Sequence, residues 1–142
     1  MTAALEDDLP QHSLAFLEMA FRTDRHGAPA EAVGMGSHTA GCGDSVTFYV
    51  GLRDDRLTRI AFELRGCLNT NACANALAEI AEGRTLEEAW NITPELVAHV
   101  LQTLPPAHFH CAQLAVEAFR HALADYQRQG AKPWKAPYRR TS

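Results

Sequence analysis

Three cysteines stand at points where a turn leads into a strand or helix. Cys42 lies in Gly-Cys-Gly-Asp, Cys67 follows Arg-Gly, and Cys111 comes directly after His110. A thiol placed this way is accessible, and nearby backbone N–H groups are free to stabilise its thiolate. With Asp44 and His110 the three thiols make a mixed sulfur, nitrogen and oxygen donor set, suited to a soft metal or an iron–sulfur cluster. Cys67 is 25 residues beyond Cys42 and 44 residues before Cys111, so no Cys-x-x-Cys pair nucleates a zinc ribbon or a redox dithiol. Only the fold can bring these ligands together.

The chemistry expected of each residue follows from its neighbours. Cys67 precedes a predicted helix, whose unpaired N–H groups and dipole favour an anion. Cys111 lies in the first turn of another, so both thiols are expected to ionise more readily than a free cysteine. Cys42 sits between two glycines, where bare backbone permits close approach of a bulky inorganic group. Asp44 offers a harder oxygen ligand that would suit a cluster destined to leave; its bland alternative is a turn-capping carboxylate. His110 and Cys111 are neighbours about 100° apart on a helix, so one can hold a metal while the other receives sulfur. Cys73, among alanines, reads as a buried inert thiol. His108 is a candidate hydrogen-bonding partner behind the ligands, and His12, His26, His38, His99 and His121 read as scattered surface or helix residues.

The elements that must position these residues are legible in the pattern. Residues 12–22 (HSLAFLEMAFR) predict an amphipathic helix with Leu14, Leu17 and Phe21 on its apolar side, followed by a polar, mobile connection over 23–32. Residues 33–40 suggest a short strand entering the Cys42 loop. Ser45–Leu52 is β-branched and aromatic, Arg53–Arg56 is a turn, and Leu57–Leu64 alternates, so a hairpin is predicted. Ala-rich residues 68–82 form a helix stopped by Gly83. Thr85-Leu86-Glu87-Glu88 is a capping box, and Thr93-Pro94-Glu95 opens a further helix. Residues 110–129 form the longest helix, closed by Gly130. The order of elements predicts an α+β fold: a small two- to three-stranded antiparallel sheet with four to five helices packed on one face.

Composition narrows the class. At 142 residues, 46% hydrophobic and 21% charged, the chain reads as one globular domain. No apolar run approaches the roughly 20 residues that span a bilayer. The acidic N-terminus MTAALEDDLPQ lacks a signal peptide's basic start and apolar core, so a cytoplasmic location with reduced cysteines is expected. The net charge is −4; without Lys132, Lys135, Arg139 and Arg140 of the tail the body carries −8, which argues against nucleic acid as a partner. The organisation expected is an N-terminal helix and connection over 1–32, a ligand-bearing domain over 33–130, and a basic irregular tail over 131–142 in which Trp134 or Tyr138 offers a partner contact.

Taken together, Cys42-Gly43-Asp44, Gly66-Cys67, Leu104-Pro105-Pro106-Ala107-His108-Phe109-His110-Cys111-Ala112 and Ala122-Leu123-Ala124-Asp125-Tyr126 resemble the IscU/NifU-type iron–sulfur cluster assembly scaffolds, over residues 33–128. The resemblance implies the SufE/NifU-like fold: a small antiparallel sheet with helices on one face. It also implies that Cys42, Cys67 and Cys111 accept persulfide sulfur from a cysteine desulfurase and ligate a nascent [2Fe–2S] cluster. Asp44 and His110 would be exchangeable ligands, and zinc would occupy the same site when iron is absent. The implied partners are the desulfurase, apo iron–sulfur acceptor proteins and an Hsp70-type chaperone. The implied role is a carrier and not an enzyme. The chaperone-recognition stretch Leu-Pro-Pro-Val-Lys reads Leu104-Pro105-Pro106-Ala107-His108 here, a weakened motif, and Leu68–Cys73 replaces the family's Gly-Ser-Ala-Ile-Ala-Ser. No Cys-rich segment follows, so the stand-alone form is expected.

Three other readings compete. A zinc-dependent persulfide sulfurtransferase of SufU type would use the same cysteines, but carries an insertion before its last cysteine and no histidine ahead of it. A Cys–His hydrolase would attack through Cys111 or Cys67, although three dispersed thiols exceed its needs. A small domain with structural zinc would hold its metal tightly and accept no sulfur.

Overall fold

The structure is a computed structural model that describes residues 13–29, 32–41 and 43–130. Cys42, the first twelve residues and the basic tail lie outside the described residues. Eleven elements follow in order: α1 (Leu14–Phe21), β1 (Gly34–Thr39), β2 (Ser45–Val50), β3 (Leu52–Arg53), β4 (Arg56–Leu57), β5 (Ala61–Arg65), α2 (Leu68–Ala81), α3 (Leu86–Trp90), α4 (Pro94–Leu101), a 3₁₀ turn (Pro106–His108) and α5 (Phe109–Gly130). The α+β expectation holds: the described residues form a three-stranded antiparallel sheet ordered β1-β2-β5, a separate β3-β4 hairpin, and five helices.

The sheet's inner face follows from alternation on β2, where Val46, Phe48 and Val50 are fully buried and pair across to Leu64, Phe62 and the β1 glycines. Phe48 meets Phe62 and Phe119 edge-on or tilted, with ring centroids 5.6 and 5.5 Å apart. α5 lies directly on this sheet. Gly36 makes that possible, because a Cβ there would sit 2.1 Å from the backbone N of Ala122. α5 in turn caps the open edge of β1: Asp125 accepts from the Met35 N–H at 2.9 Å, and His121 Nδ1 lies 2.8 Å from Ser37 O. An edge covered in this way cannot template further strands.

Two predicted elements differ in detail. The expected strand over 57–64 is two pieces, because the backbone between them bonds elsewhere: Thr58 N–H donates to Gly51 O at 2.9 Å and Ile60 N–H to the Glu82 carboxylate at 2.8 Å. β4 therefore pairs with β3, across a turn in which Asp54 and Asp55 take φ of 54° and 66°, and bridges residues 83–85 on its other side, while β5 pairs with β2. On α1 the core face is Phe16 and Ala20, while Leu14 and Phe21 are exposed. The helix is apolar nearly all round, so its periodicity does not single out a stripe.

The expected mobile connection after α1 is held in place over its described residues 23–29. Residues 25–27 run along the free edge of β5, with Phe62 N–H donating to Arg25 O and Gly27 N–H to Phe62 O, both at 3.0 Å. The Arg25 side chain is buried against the Glu82 carboxylate and Ile60 O. Asn71 and Asn75, buried on α2, donate to Ala20 O, Met19 O and Arg22 O, satisfying the carbonyls at the end of α1. The capping box at Thr85 and the Thr93 cap with Pro94 at the first helical position form as predicted. Among the described residues no helix is long and apolar enough to cross a membrane.

Candidate metal centre

Three chain reversals converge at the N-terminus of α2. β5 ends at Gly66, and Cys67 becomes the N-cap of α2 in an extended conformation (φ −94°, ψ −177°) with no side-chain cap bond, so its thiol is free to face outward. Gly66 is required here: a Cβ would lie 2.7 Å from the Thr70 hydroxyl tucked beneath it. Cys67 is exposed. Burial alone would push its thiol pKa up, but hydrogen bonds from the backbone and side chains of Thr70 and Asn69 outweigh that and hold it below the usual thiol value. The Asn69 amide lies 3.7 Å and the Thr70 hydroxyl 3.8 Å from the sulfur.

Cys111 arrives from the opposite direction, in the first turn of α5. The expectation of a lowered pKa fails for it. Cys111 is fully buried, and desolvation pushes its thiol up to about 11. A hydrogen bond from Thr70 opposes the rise, while the charges of Cys67 and Asp44 add to it. Position in a first helical turn does not lower a thiol pKa when the sulfur is also removed from water. Cys73 is buried in the core as expected, and burial holds it well above the usual thiol value.

Asp44 is brought in by the β1–β2 loop, which closes through Ala40 N–H to Asp44 O at 2.8 Å and Gly43 N–H to Ala40 O at 3.0 Å, with Gly43 at φ 99°. Its carboxylate accepts from the Thr70 hydroxyl at 3.2 Å, and the same hydroxyl lies 3.5 Å from Cys111 Sγ. Thr70 therefore stands at the centre of Asp44, Cys67 and Cys111. In the sequence Thr70 stands out only as part of Leu68–Cys73, the stretch that departs from the family pattern. The available signal was a hydroxyl residue at the third helical position after an N-cap cysteine, where its side chain returns toward that cap.

His110 is exposed; its Nε2 lies 3.7 Å from Cys111 Sγ and its Nδ1 3.2 Å from Ala107 O. His108 sits deeper than expected of an outer partner. One ligand atom each from Cys67, His108 and Cys111 lie within 4.8 Å of one another. Soft thiolates with imidazole are a donor set for zinc, iron or an iron–sulfur cluster. The structure thus brings Cys67, Cys111, Asp44 and His110 together and adds Thr70 and His108.

Residues 21–133 match the family model described as the NifU-like N-terminal domain. This chain belongs to the NifU-like N-terminal domain family. It is 41% identical over 91 residues to "Iron-sulfur cluster assembly scaffold protein IscU 1" of Archaeoglobus fulgidus, an alignment covering 64% of this chain and 60% of that protein. It is 30% identical over 107 residues to "Nitrogen fixation protein NifU" of a Nostoc species, covering 73% of this chain and 36% of the relative. The chain thus spans about 60% or less of these relatives' own length. In fold it is similar to the N-terminal NifU-like protein of Brucella abortus, with a TM-score of 0.69 at 19% identity over 88% of this chain and 99% of that one. A putative iron–sulfur cluster assembly scaffold protein for the SUF system from Fervidobacterium islandicum has a TM-score of 0.65 at 20% identity, over 80% and 97% of the two chains. Membership of the NifU-like family accounts for the helices packed on one face of a small antiparallel sheet.

Proposed function

We propose that this protein is a scaffold on which a [2Fe–2S] cluster is assembled as cargo from iron and desulfurase-derived sulfur, then handed to acceptor proteins. The observation that carries this reading is the meeting of Cys67, Cys111 and Asp44 on one buried hydroxyl, with two histidines beside them. Cys42, Cys67 and Cys111 are the sulfur ligands; Asp44 and His110 are the exchangeable ones. The two described thiols divide the work. Cys67, exposed and readily ionised, is the entry point: its thiolate attacks the terminal sulfur of the donor's persulfide, forming a new S–S bond as the donor cysteine leaves as thiolate. Reduction of that persulfide to sulfide consumes two electrons from an external reductant. Cys111, buried, stays protonated until a metal displaces its proton.

The naming of the archaeal relative as a scaffold supports a carrier role over turnover of a small substrate. The Leu104–His108 turn, with Pro106 and Ala107 exposed, is the surface offered to an Hsp70-type chaperone. The deciding experiment is anaerobic reconstitution with ferrous iron, cysteine and a cysteine desulfurase. A thiolate-to-iron charge-transfer spectrum supports the scaffold. Tightly held zinc, no cluster and faster desulfurase turnover would instead establish the SufU-type sulfurtransferase, a reading favoured by the compact Cys-His-Cys group alone.

A further inference from the structure

Cys67 caps α2, and His110 and Cys111 ride on α5, but Asp44 is carried by a loop. Its carboxylate therefore needs an anchor from outside that loop. We infer that Thr70 is a positioning residue: its hydroxyl ties the Asp44 carboxylate to the first turn of α2, and through that tie sets how quickly the site releases its cargo. This deepens the reading above and rests on it for the cargo alone; the tie belongs to the metal-free chain.

Hydrogen-bond accounting supplies the first argument. Thr70 is fully buried, and its hydroxyl faces the Asp44 carboxylate at 3.2 Å, Cys111 Sγ at 3.5 Å and Cys67 Sγ at 3.8 Å. A hydroxyl has one proton to give, and sulfur accepts weakly. The carboxylate is the nearest of the three and, beside two thiols, the stronger acceptor, so it takes the proton. Among the described residues Thr70 is the hydrogen-bond donor to the Asp44 side chain.

Local structure supplies the second. The loop bonds from Ala40 N–H to Asp44 O and from Gly43 N–H to Ala40 O shape the backbone and leave the carboxylate's direction open. Thr70 can aim it because Thr70 is itself fixed. A β-branched side chain is stiff about its first torsion, and this one is packed beneath Gly66, where a Cβ would lie 2.7 Å from the hydroxyl. In Gly-Ser-Ala-Ile-Ala-Ser, the stretch that Leu68–Cys73 replaces, alanine stands at the position of Thr70, so the tie is a feature of this chain and not of the pattern it resembles.

The consequence has a sign. Outer partners orient ligands, and their loss typically weakens binding through that ligand by about 10–100-fold. Thr70 holds the hard, exchangeable oxygen beside the soft sulfur set, so the tie favours release. Cutting it should act in the same direction as removing Asp44.

The first readout is amide hydrogen exchange of residues 40–44, followed by NMR in the metal-free full chain. Thr70→Val keeps the shape and removes the proton; it should lower protection at the Ala40 N–H about tenfold, the size expected for losing one hydrogen bond to a charged acceptor. Thr70→Ser restores the donor and should exchange as wild type does. Thr70→Val added to Asp44→Ala should lower protection no further than Asp44→Ala alone, because both cut one bond. If Thr70→Val fails to fold by circular dichroism, Asp44→Ala cuts the same bond from the loop end and must lower protection equally. The second readout is the lifetime of a reconstituted cluster, which should lengthen in Thr70→Val as in Asp44→Ala and no further in the double variant. Unchanged protection in folded Thr70→Val, no recovery in Thr70→Ser, or additive effects with Asp44→Ala would overturn the inference. Non-additive loss of protection in a protein that assembles no cluster would keep the tie and remove the scaffold reading; cluster assembly with Thr70-independent protection and lifetime would do the reverse.

Discussion

The two ends of α2 are built to opposite purposes. At its C-terminal end both carboxylates are partnered. Glu79 and Glu82 would oppose the helix dipole if left alone, and instead Glu79 meets Arg22 at 2.6 Å, while Glu82 holds buried Arg25 and the Ile60 N–H. At the N-terminal end one hydroxyl proton on Thr70 faces three acceptors at 3.2, 3.5 and 3.8 Å, and the N-cap cysteine makes no cap bond. Paired carboxylates at one end fix the helix; under-satisfaction at the other leaves ligands ready to exchange. A carrier of a transferable cargo needs both, since ligands must be positioned without being committed.

The sharpest break of this comparison removes a ligand. Cys42→Ala, Cys67→Ala or Cys111→Ala should each abolish stable cluster assembly, read from the charge-transfer spectrum, while circular dichroism shows a folded protein. Normal assembly in any two of these variants would move the site elsewhere. Next in size is Arg25→Ala at the paired end. It leaves Glu82 without its buried partner, and a loss of about 3–5 kcal/mol in urea unfolding is expected. The alkylation rate of Cys67 should be unchanged under conditions where the variant is folded.

The opposite environments of the two thiols give a pH test in the metal-free protein. Cys67 should be alkylated by iodoacetamide at neutral pH faster than an unperturbed thiol, because its pKa is lowered. Cys111 should resist until pH nears its value of about 11, since only the thiolate reacts. Peptide mass spectrometry across pH reads both, and equal rates at neutral pH would contradict the division of labour. The smallest effect is expected from Asp44→Ala, which removes the hard oxygen ligand and should make a bound cluster persist severalfold longer. Faster loss would show that Asp44 retains the cluster.

Much of this was legible in the sequence because local rules carried it. Thr85 with Glu88, Thr93 with Pro94 and Gly83 act within a few residues, so their helix boundaries could be read directly. Ligand residues were legible by type. What was missed depends on distance in the chain. The break between β4 and β5 arises because Ile60 bonds Glu82, 22 residues on, and the anchoring of residues 23–29 depends on α2. Cys111 looked like an activated thiol by its place in a helix, but its burial is set by elements packed around it. Thr70 and His108 gain meaning only when three chain reversals meet, a juxtaposition no local pattern encodes.

Transfer measures the central claim most directly. The reconstituted protein, separated from excess iron and sulfide, is mixed with an apo-ferredoxin and the two are resolved over time by their visible spectra. The account predicts that the cluster leaves this protein and appears intact on the ferredoxin at a rate faster than its spontaneous loss. A cluster that stays bound, or iron and sulfide released before the ferredoxin fills, would contradict it.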